Sequence, residues 1–182
     1  MVLHGPDTMA YSASALSFML ENLAKAGVHL AYNREAMRYP GKIRELVVHK
    51  RLNVHIDILK LFPGITPKYI NAVLGYVGLK GLILETYEAG NTPAGSWFLD
   101  RIKKAVDQSV LILDVTQCNR GNVELGRYET SGCRLNICVI SGYSIATEAA
   151  TSKTMVLLEQ NLEDAKVKML LNKSLKGEIT LP

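Results

Sequence analysis

The sequence predicts an α/β protein built on a small, doubly wound parallel sheet. Two observations carry that expectation. From Asn53 onward, short and mostly apolar runs alternate with amphipathic stretches of helical period, the pattern of strands buried on both faces and covered by helices. Helix-start residues stand where the strand runs stop, as in Pro63-Gly64 followed by Thr66-Pro67, an N-cap with Pro at the first helical position. Right-handed crossovers between such strands give a doubly wound domain.

Taken in order, Met1 to Leu3 reads as the end of a strand, and Asp7 as the cap of a helix from Thr8 to Lys25. Met9, Ala13, Leu16, Met19, Leu20 and Leu23 supply the apolar residues of that helix. Residues 26–52 are polar and basic around Pro40-Gly41 and read as a linker or an edge hairpin. Val54 to Phe62 alternates in part and predicts a strand, and Ile70, Val73 and Leu74 then form one helical stripe. Lys80 to Thr86 predicts the second strand and Ser109 to Thr116 the third. Between them lies a helix from Gly95 to Gln108 with Phe98, Leu99, Ile102, Ala105 and Val106 inward. Ile137 to Ser141 predicts a fourth strand. A helix from Ala146 to Glu159, capped by Ser144 or Thr147, and a last helix from Glu163 to Leu171 complete the pattern.

At 182 residues the chain has room for one domain, or one domain and a fragment. With 48% hydrophobic and 21% charged residues it has the balance of a globular protein. No apolar run reaches membrane-spanning length. The opening MVLHGPDT has no basic segment leading into an apolar one, so a cytoplasmic protein is expected. The net charge of +4 is dispersed, and Arg101-Ile102-Lys103-Lys104 reads as a solvated helix face, so no nucleic-acid partner is expected. Cys118, Cys133 and Cys138 are odd in number and contain no Cys-x-x-Cys; they read as free, partly buried thiols rather than disulfides or a zinc site. No phosphate-binding glycine loop or nucleophile elbow is present. His49 and His55 read as surface or strand residues, not ligands.

Ligands of doubly wound sheets sit beyond the carboxyl ends of the strands. Here those ends carry Pro63-Gly64, Glu85 to Pro93, Thr116 to Asn122 and Ser141-Gly142. Two segments stand out, His4-Gly5-Pro6-Asp7-Thr8-Met9-Ala10 and Glu85-Thr86-Tyr87-Glu88-Ala89-Gly90-Asn91-Thr92-Pro93. By residue type, Asp7 is an N-cap or a carboxylate for a ligand cation and a proton network. Asn91, after a Gly beyond a strand, is a turn residue or a site residue.

The run VLHGPDTMAYSASALSFMLENL resembles a segment of the cytoplasmic (type I) L-asparaginases whose pattern reads V-x-H-G-T-D-T-M. LKLFPGI, GLKGLILETYEAGNTP, VTQC, GRYETSG, VISG, TEAA and LKGEIT then follow in the order of that family's C-terminal domain. The resemblance implies a flavodoxin-like C-terminal domain at 53–182 and a remnant of the N-terminal α/β domain at 1–32, joined by 33–52. It implies hydrolysis of L-asparagine to L-aspartate and ammonia, with L-glutamine as a second candidate substrate. No metal or organic cofactor is implied, and a homo-oligomer is.

Residue by residue, the resemblance carries over in part. The family's nucleophilic Thr lies in a segment preceding the point that matches Met1, so it is expected to be missing. A second, proton-relaying Thr falls at Pro6, which has no hydroxyl. Asp7 matches the Asp of the proton network, which also holds the substrate α-ammonium. The network Lys belongs to a block absent between Lys25 and Ala26. Asn91 matches an Asn that reaches the site of a neighbouring subunit. Cys118 matches a Cys of an allosteric asparagine site, but an Arg of that site falls at Glu85, reversing the charge. The resemblance therefore implies a truncated asparaginase, impaired or inactive alone, with Thr8 or Ser12 as the substitute hydroxyls to test. Two alternatives remain: a non-catalytic module that binds an amino acid or pairs with an intact asparaginase, and an asparaginase-like subunit of a tRNA-dependent amidotransferase. With most of its sheet absent, the segment 1–25 is expected to dock on the C-terminal domain in a new way or to drive self-association.

Overall fold

The computed structural model describes residues 9–19, 48–87, 90–93, 95–118, 123 and 139–180. Within them β1 (Ile56–Lys60), β2 (Gly81–Thr86), β3 (Leu111–Thr116) and β4 (Ile140–Ser141) form one sheet in the order β1-β2-β3-β4. Every pair is parallel, with Ile58 opposite Ile83, Leu84 opposite Asp114 and Leu113 opposite Ile140. Alternate residues feed opposite faces. Leu59, Leu82, Leu84 and Ile112 pack under α2 (Pro67–Leu74) and α3 (Ser96–Asp107). Ile83, Leu111, Leu113 and Val115 pack under α4 (Thr147–Glu159) and α5 (Asp164–Leu171). With both faces covered, the strands carry the continuous apolar runs seen in the sequence.

The helices begin for local reasons where the sequence offers one. Thr66 is extended and its Oγ1 accepts the Tyr69 N–H at 3.3 Å, with Pro67 opening α2. In α3, Phe98, Ile102 and Ala105 are buried, and Leu99 and Val106 half-buried. Helix α4 departs from expectation. Its N-cap is Ala146, with no side-chain cap bond. Ser144 Oγ instead accepts the Thr180 N–H at 2.8 Å, and Thr147 Oγ1 donates to Glu85 Oε1 at 2.6 Å. Both expected caps are recruited by residues distant in sequence. The strands are also shorter than expected. Asn53 Oδ1 accepts the His55 N–H at 3.0 Å, which turns that N–H away from the sheet just before Ile56. Of the expected fourth strand, residues 137 and 138 lie outside the described residues, as do 20–47, which hold the expected linker up to residue 47.

The remaining helix, α1 (Met9–Met19), lies against α4. Ser14 and Ser152 are buried, and Ser152 Oγ donates to the Tyr11 carbonyl at 3.4 Å. Small side chains let the two backbones approach. Over 9–19 the N-terminal helix is docked on the C-terminal unit. Helix α4 is covered nearly all round: Ala149, Ala150, Thr151, Ser152, Lys153, Thr154, Val156 and Leu157 are all buried. Thr151 and Thr154 satisfy their hydroxyls on the carbonyls of Thr147 and Ala150, one turn back.

Lys153 has no exposed surface. Its Nζ lies 2.8 Å from Glu178 Oε1 and donates to the carbonyls of Leu171 (2.9 Å) and Lys173 (2.6 Å), using all three donors. Glu178 also accepts the N–H groups of Leu175 and Lys176. Burial pushes the Lys153 ammonium below its ordinary value against the pull of Glu178. Burial alone would raise the Glu178 carboxyl, but the hydrogen bonds from Leu175, Lys153 and Lys176 outweigh it and hold the carboxyl low. The pair fastens the C-terminal segment, with Ile179 buried beside it, under α4. Removing one partner leaves the other charge buried, so Lys153→Met or Glu178→Gln is expected to cost about 3–5 kcal/mol in urea unfolding. The double variant Lys153→Met/Glu178→Leu should lose less than the sum of the two. Because the folded carboxyl titrates below its unfolded value of about 4.3, its stabilisation is complete above that pH. It is lost as the pH falls through the folded value. Acid unfolding followed by circular dichroism should show this loss in the parent and not in Glu178→Gln.

Candidate functional site

The carboxyl ends of the four strands form one rim. There β2 ends in Glu85 and Thr86, both turned to partners from neighbouring elements. Thr86 Oγ1, fully buried, donates to Asp114 Oδ1 at 2.7 Å. Glu85 accepts Thr147 Oγ1 from the start of α4 and faces Lys60 Nζ of β1 at 3.5 Å. Lys60 is mostly exposed, so that ion pair adds little stability; the hydroxyl contact fixes the carboxylate.

Beyond Thr86 the chain leaves the sheet in a tight loop. Tyr87 and Asn91 form an isolated antiparallel bridge, with Tyr87 N–H to Asn91 O at 3.1 Å and Asn91 N–H to Tyr87 O at 2.9 Å. Gly90 turns the chain at a φ of +94°, a conformation that favours glycine. Asn91 is half-buried on this loop and Thr92 buried behind it. The loop root is gripped by Gln117, just past β3. Its N–H donates to Thr86 O at 3.0 Å, and its Nε2 donates to Leu61 O at 2.6 Å and Glu85 O at 2.9 Å. Ser141 Oγ donates to Val123 O at 3.0 Å and accepts the Tyr143 N–H, tying down the end of β4.

Tyr11 of α1 belongs to the same rim. Its phenol is held above the ordinary value by burial, then by the charges of Glu148 and Glu85. Helix α1 thus brings a side chain to the carboxyl end of the sheet. Ser12 is half-buried one residue on. Pro6, Asp7 and Thr8 lie outside the described residues.

Of the site residues expected from sequence, the structure gathers Glu85, Asn91 and Cys118 on this rim. Cys118 corrects one expectation: it is a free cysteine as expected, but exposed rather than partly buried. It stands two residues past the end of β3, its N–H on Thr116 Oγ1 at 3.1 Å, where the chain turns out of the core. Sequence reasoning missed Gln117, Thr147, Lys60 and Tyr11. A polar residue directly after the apolar run of β3 was the one available signal for Gln117. Among the described residues no group of three or more His, Cys, Asp and Glu is placed to hold a metal ion, and no helix is long and apolar enough to cross a membrane.

The rim and the parallel sheet define an α/β domain with the loops after β1, β2 and β3 gathered at one end of the sheet. Family models sharpen the class. The glutaminase/asparaginase C-terminal domain matches residues 55–171, and the asparaginase N-terminal domain matches residues 1–29. The chain belongs to the asparaginase family. It is 30% identical over 250 residues to L-asparaginase 1 of Escherichia coli, covering 99% of this chain and 74% of that protein. It is 32% identical over 261 residues to one of the subunits of the glutamyl-tRNA(Gln) amidotransferase of Pyrococcus abyssi, covering 99% and 58%. The crystal structure of L-asparaginase I from Vibrio cholerae superposes with a TM-score of 0.81 at 28% identity, covering 98% of this chain and 75% of that one.

The electrostatic contacts at the rim can be measured directly. Ultraviolet titration of the Tyr11 phenol, by difference against Tyr11→Phe, should give a midpoint above the ordinary value of about 10. Glu148→Gln and Glu85→Gln should each move it down. A Thr86→Val substitution removes the hydroxyl donor from the buried Asp114 carboxylate and should cost about 1–3 kcal/mol in denaturant unfolding.

Proposed function

We propose that this chain is an asparaginase-family hydrolase subunit that does not hydrolyse L-asparagine at an appreciable rate by itself. The observation that carries this reading is an internal gap. The alignment with the Escherichia coli relative runs over 250 residues although the chain has 182, and the two family-model matches stop at 29 and resume at 55. By resemblance, the missing block would have carried the network Lys. Pro6 stands where the family pattern has a hydroxyl that relays a proton. Losing members of such a network removes several orders of magnitude of rate. Asp7 remains as the carboxylate for the substrate α-ammonium, and no metal or cofactor enters the scheme. The reading divides the chain into an N-terminal remnant (1–32), a linker (33–52) and the C-terminal domain (53–182), in a cytoplasmic oligomer.

A second reading is favoured by the rim. Asn91 is held on a closed loop at the sheet's carboxyl end, and in the family the matching Asn acts across a subunit boundary. In this reading the chain pairs with an intact asparaginase and lends it Asn91. The relative from Pyrococcus abyssi supports a third, in which the chain is an amidotransferase component; ammonia release that requires charged tRNA would favour it.

The test is ammonia release from L-asparagine, and separately from L-glutamine, by the purified chain at high concentration. No release above background from a chain folded by circular dichroism is expected. Substrate-dependent release abolished by Asp7→Ala would overturn the reading and point to Thr8 or Ser12 as the nucleophile. Co-expression with an intact asparaginase should recover a mixed assembly if the pairing reading holds.

A further inference from the structure

The backbone ladder at the ends of β1 and β2 leaves one rung to be filled. At one end of the β1–β2 ladder, Gly81 N–H donates to His55 O at 3.2 Å; at the other, Leu61 N–H donates to Glu85 O at 3.0 Å. Parallel rungs advance by two residues on each strand. The next would join Tyr87 N–H to Leu61 O. Tyr87 N–H instead donates to Asn91 O, closing the bridge. Leu61 is 1% exposed, and a carbonyl buried there needs a donor. Gln117 Nε2 provides it, at 2.6 Å from Leu61 O, and spends its other hydrogen on Glu85 O at 2.9 Å. Both partners are carbonyls, so the amide nitrogen and not the oxygen must face them.

We infer that Gln117 is the positioning residue for the Asn91 loop. Its carboxamide fills the rung that Tyr87 vacates, and so lets the chain leave the sheet at Tyr87 and fold back to Asn91. Without that donor, Leu61 O and Asn91 O compete for the Tyr87 N–H. Bonding to Leu61 lengthens β2 by one rung and opens the loop. The effect is local, because β1, β2 and β3 keep their remaining rungs and both their packed faces. That Asn91 serves a neighbouring subunit rests on the pairing reading above; the control of its loop by Gln117 does not.

Amide hydrogen exchange of the full chain by NMR tests this, expressed as protection relative to the unstructured rate. In Gln117→Leu, protection at Gly90 and Asn91 is expected to fall tenfold or more, while Ile83 and Leu113 keep theirs. Gln117→Glu adds a readout that space-filling would not move. Its carboxylate faces two carbonyls at neutral pH, so the loop should open. On protonation the acid O–H can donate to Leu61 O, and protection at Asn91 should return as the pH falls. Unchanged protection at Gly90 and Asn91 in both variants would overturn the inference. So would loss spread equally over β2 and β3, or no return with falling pH. In a mixed assembly with an intact asparaginase, Gln117→Leu should change KM and kcat for asparagine in the same sense as Asn91→Ala. If the unaltered chain forms no mixed assembly, the pairing reading fails and the exchange result still decides the role of Gln117.

Discussion

A parallel sheet buried on both faces leaves its backbone groups no water to turn to, so the places where its ladder stops decide what the loops beyond it can do. The rim shows three ways of stopping. At β4, Ser141 Oγ takes the Val123 carbonyl. At the end of β2, Thr86 turns a hydroxyl inward to Asp114, so that a polar pair sits where the apolar run ends. Between β1 and β2 the stop is made by the residue after β3, since Gln117 Nε2 reaches both Glu85 O and Leu61 O. Each device sets a directed side-chain bond where the strand ends, and Gln117 stands in for a backbone rung. The loop that holds Asn91 begins at the last of them.

The other face depends on α4, which behaves more like a core strand than a surface helix. Its first turn supplies Thr147 to Glu85, its middle carries the buried Lys153, and its small residues receive α1. The Lys153 and Glu178 pair is weak support for net stability, since an apolar pair of similar shape could serve as well. What it does is fix where the C-terminal segment lies, because three donors on one nitrogen accept only one arrangement of Leu171, Lys173 and Glu178. Through Tyr11 the same helix pair also brings α1 within the field of Glu85 and Glu148. Rim and N-terminal helix therefore meet where the start of α4 and the end of β2 come together.

Much of this fold was legible in the sequence where one element explains itself. The runs Lys80 to Thr86 and Ser109 to Thr116 are apolar because both faces are covered, and they contain β2 and β3. Thr66-Pro67 caps α2 because the cap needs only residues three positions apart. The expected caps of α4 failed for the opposite reason: Ser144 and Thr147 answer to Thr180 and Glu85, far along the chain. A lysine such as Lys153 carries no local mark of burial, since its acceptors lie 18 and 20 residues away. Of the candidate site, the segment Glu85 to Pro93 was marked by its strand-end position, and within it Asn91 and Glu85 were singled out by the resemblance to the family. Gln117 was passed over because its role exists only when three strand ends are brought side by side.

The buried residues of the two hydrophobic clusters formed by the described side chains, and the half-buried ones packed on them, run from Leu52 to Ile179 and cover both faces of the sheet. Helix α1 meets α4 at the buried Ser14 and Ser152, with Ser152 Oγ on the Tyr11 carbonyl. The rim stands on these clusters, because Thr86 and Asp114 belong to β2 and β3 and Gln117 directly follows β3. The loop that carries Asn91 is thus placed by strand ends whose faces are both packed, and its course follows from where the β1–β2 ladder stops.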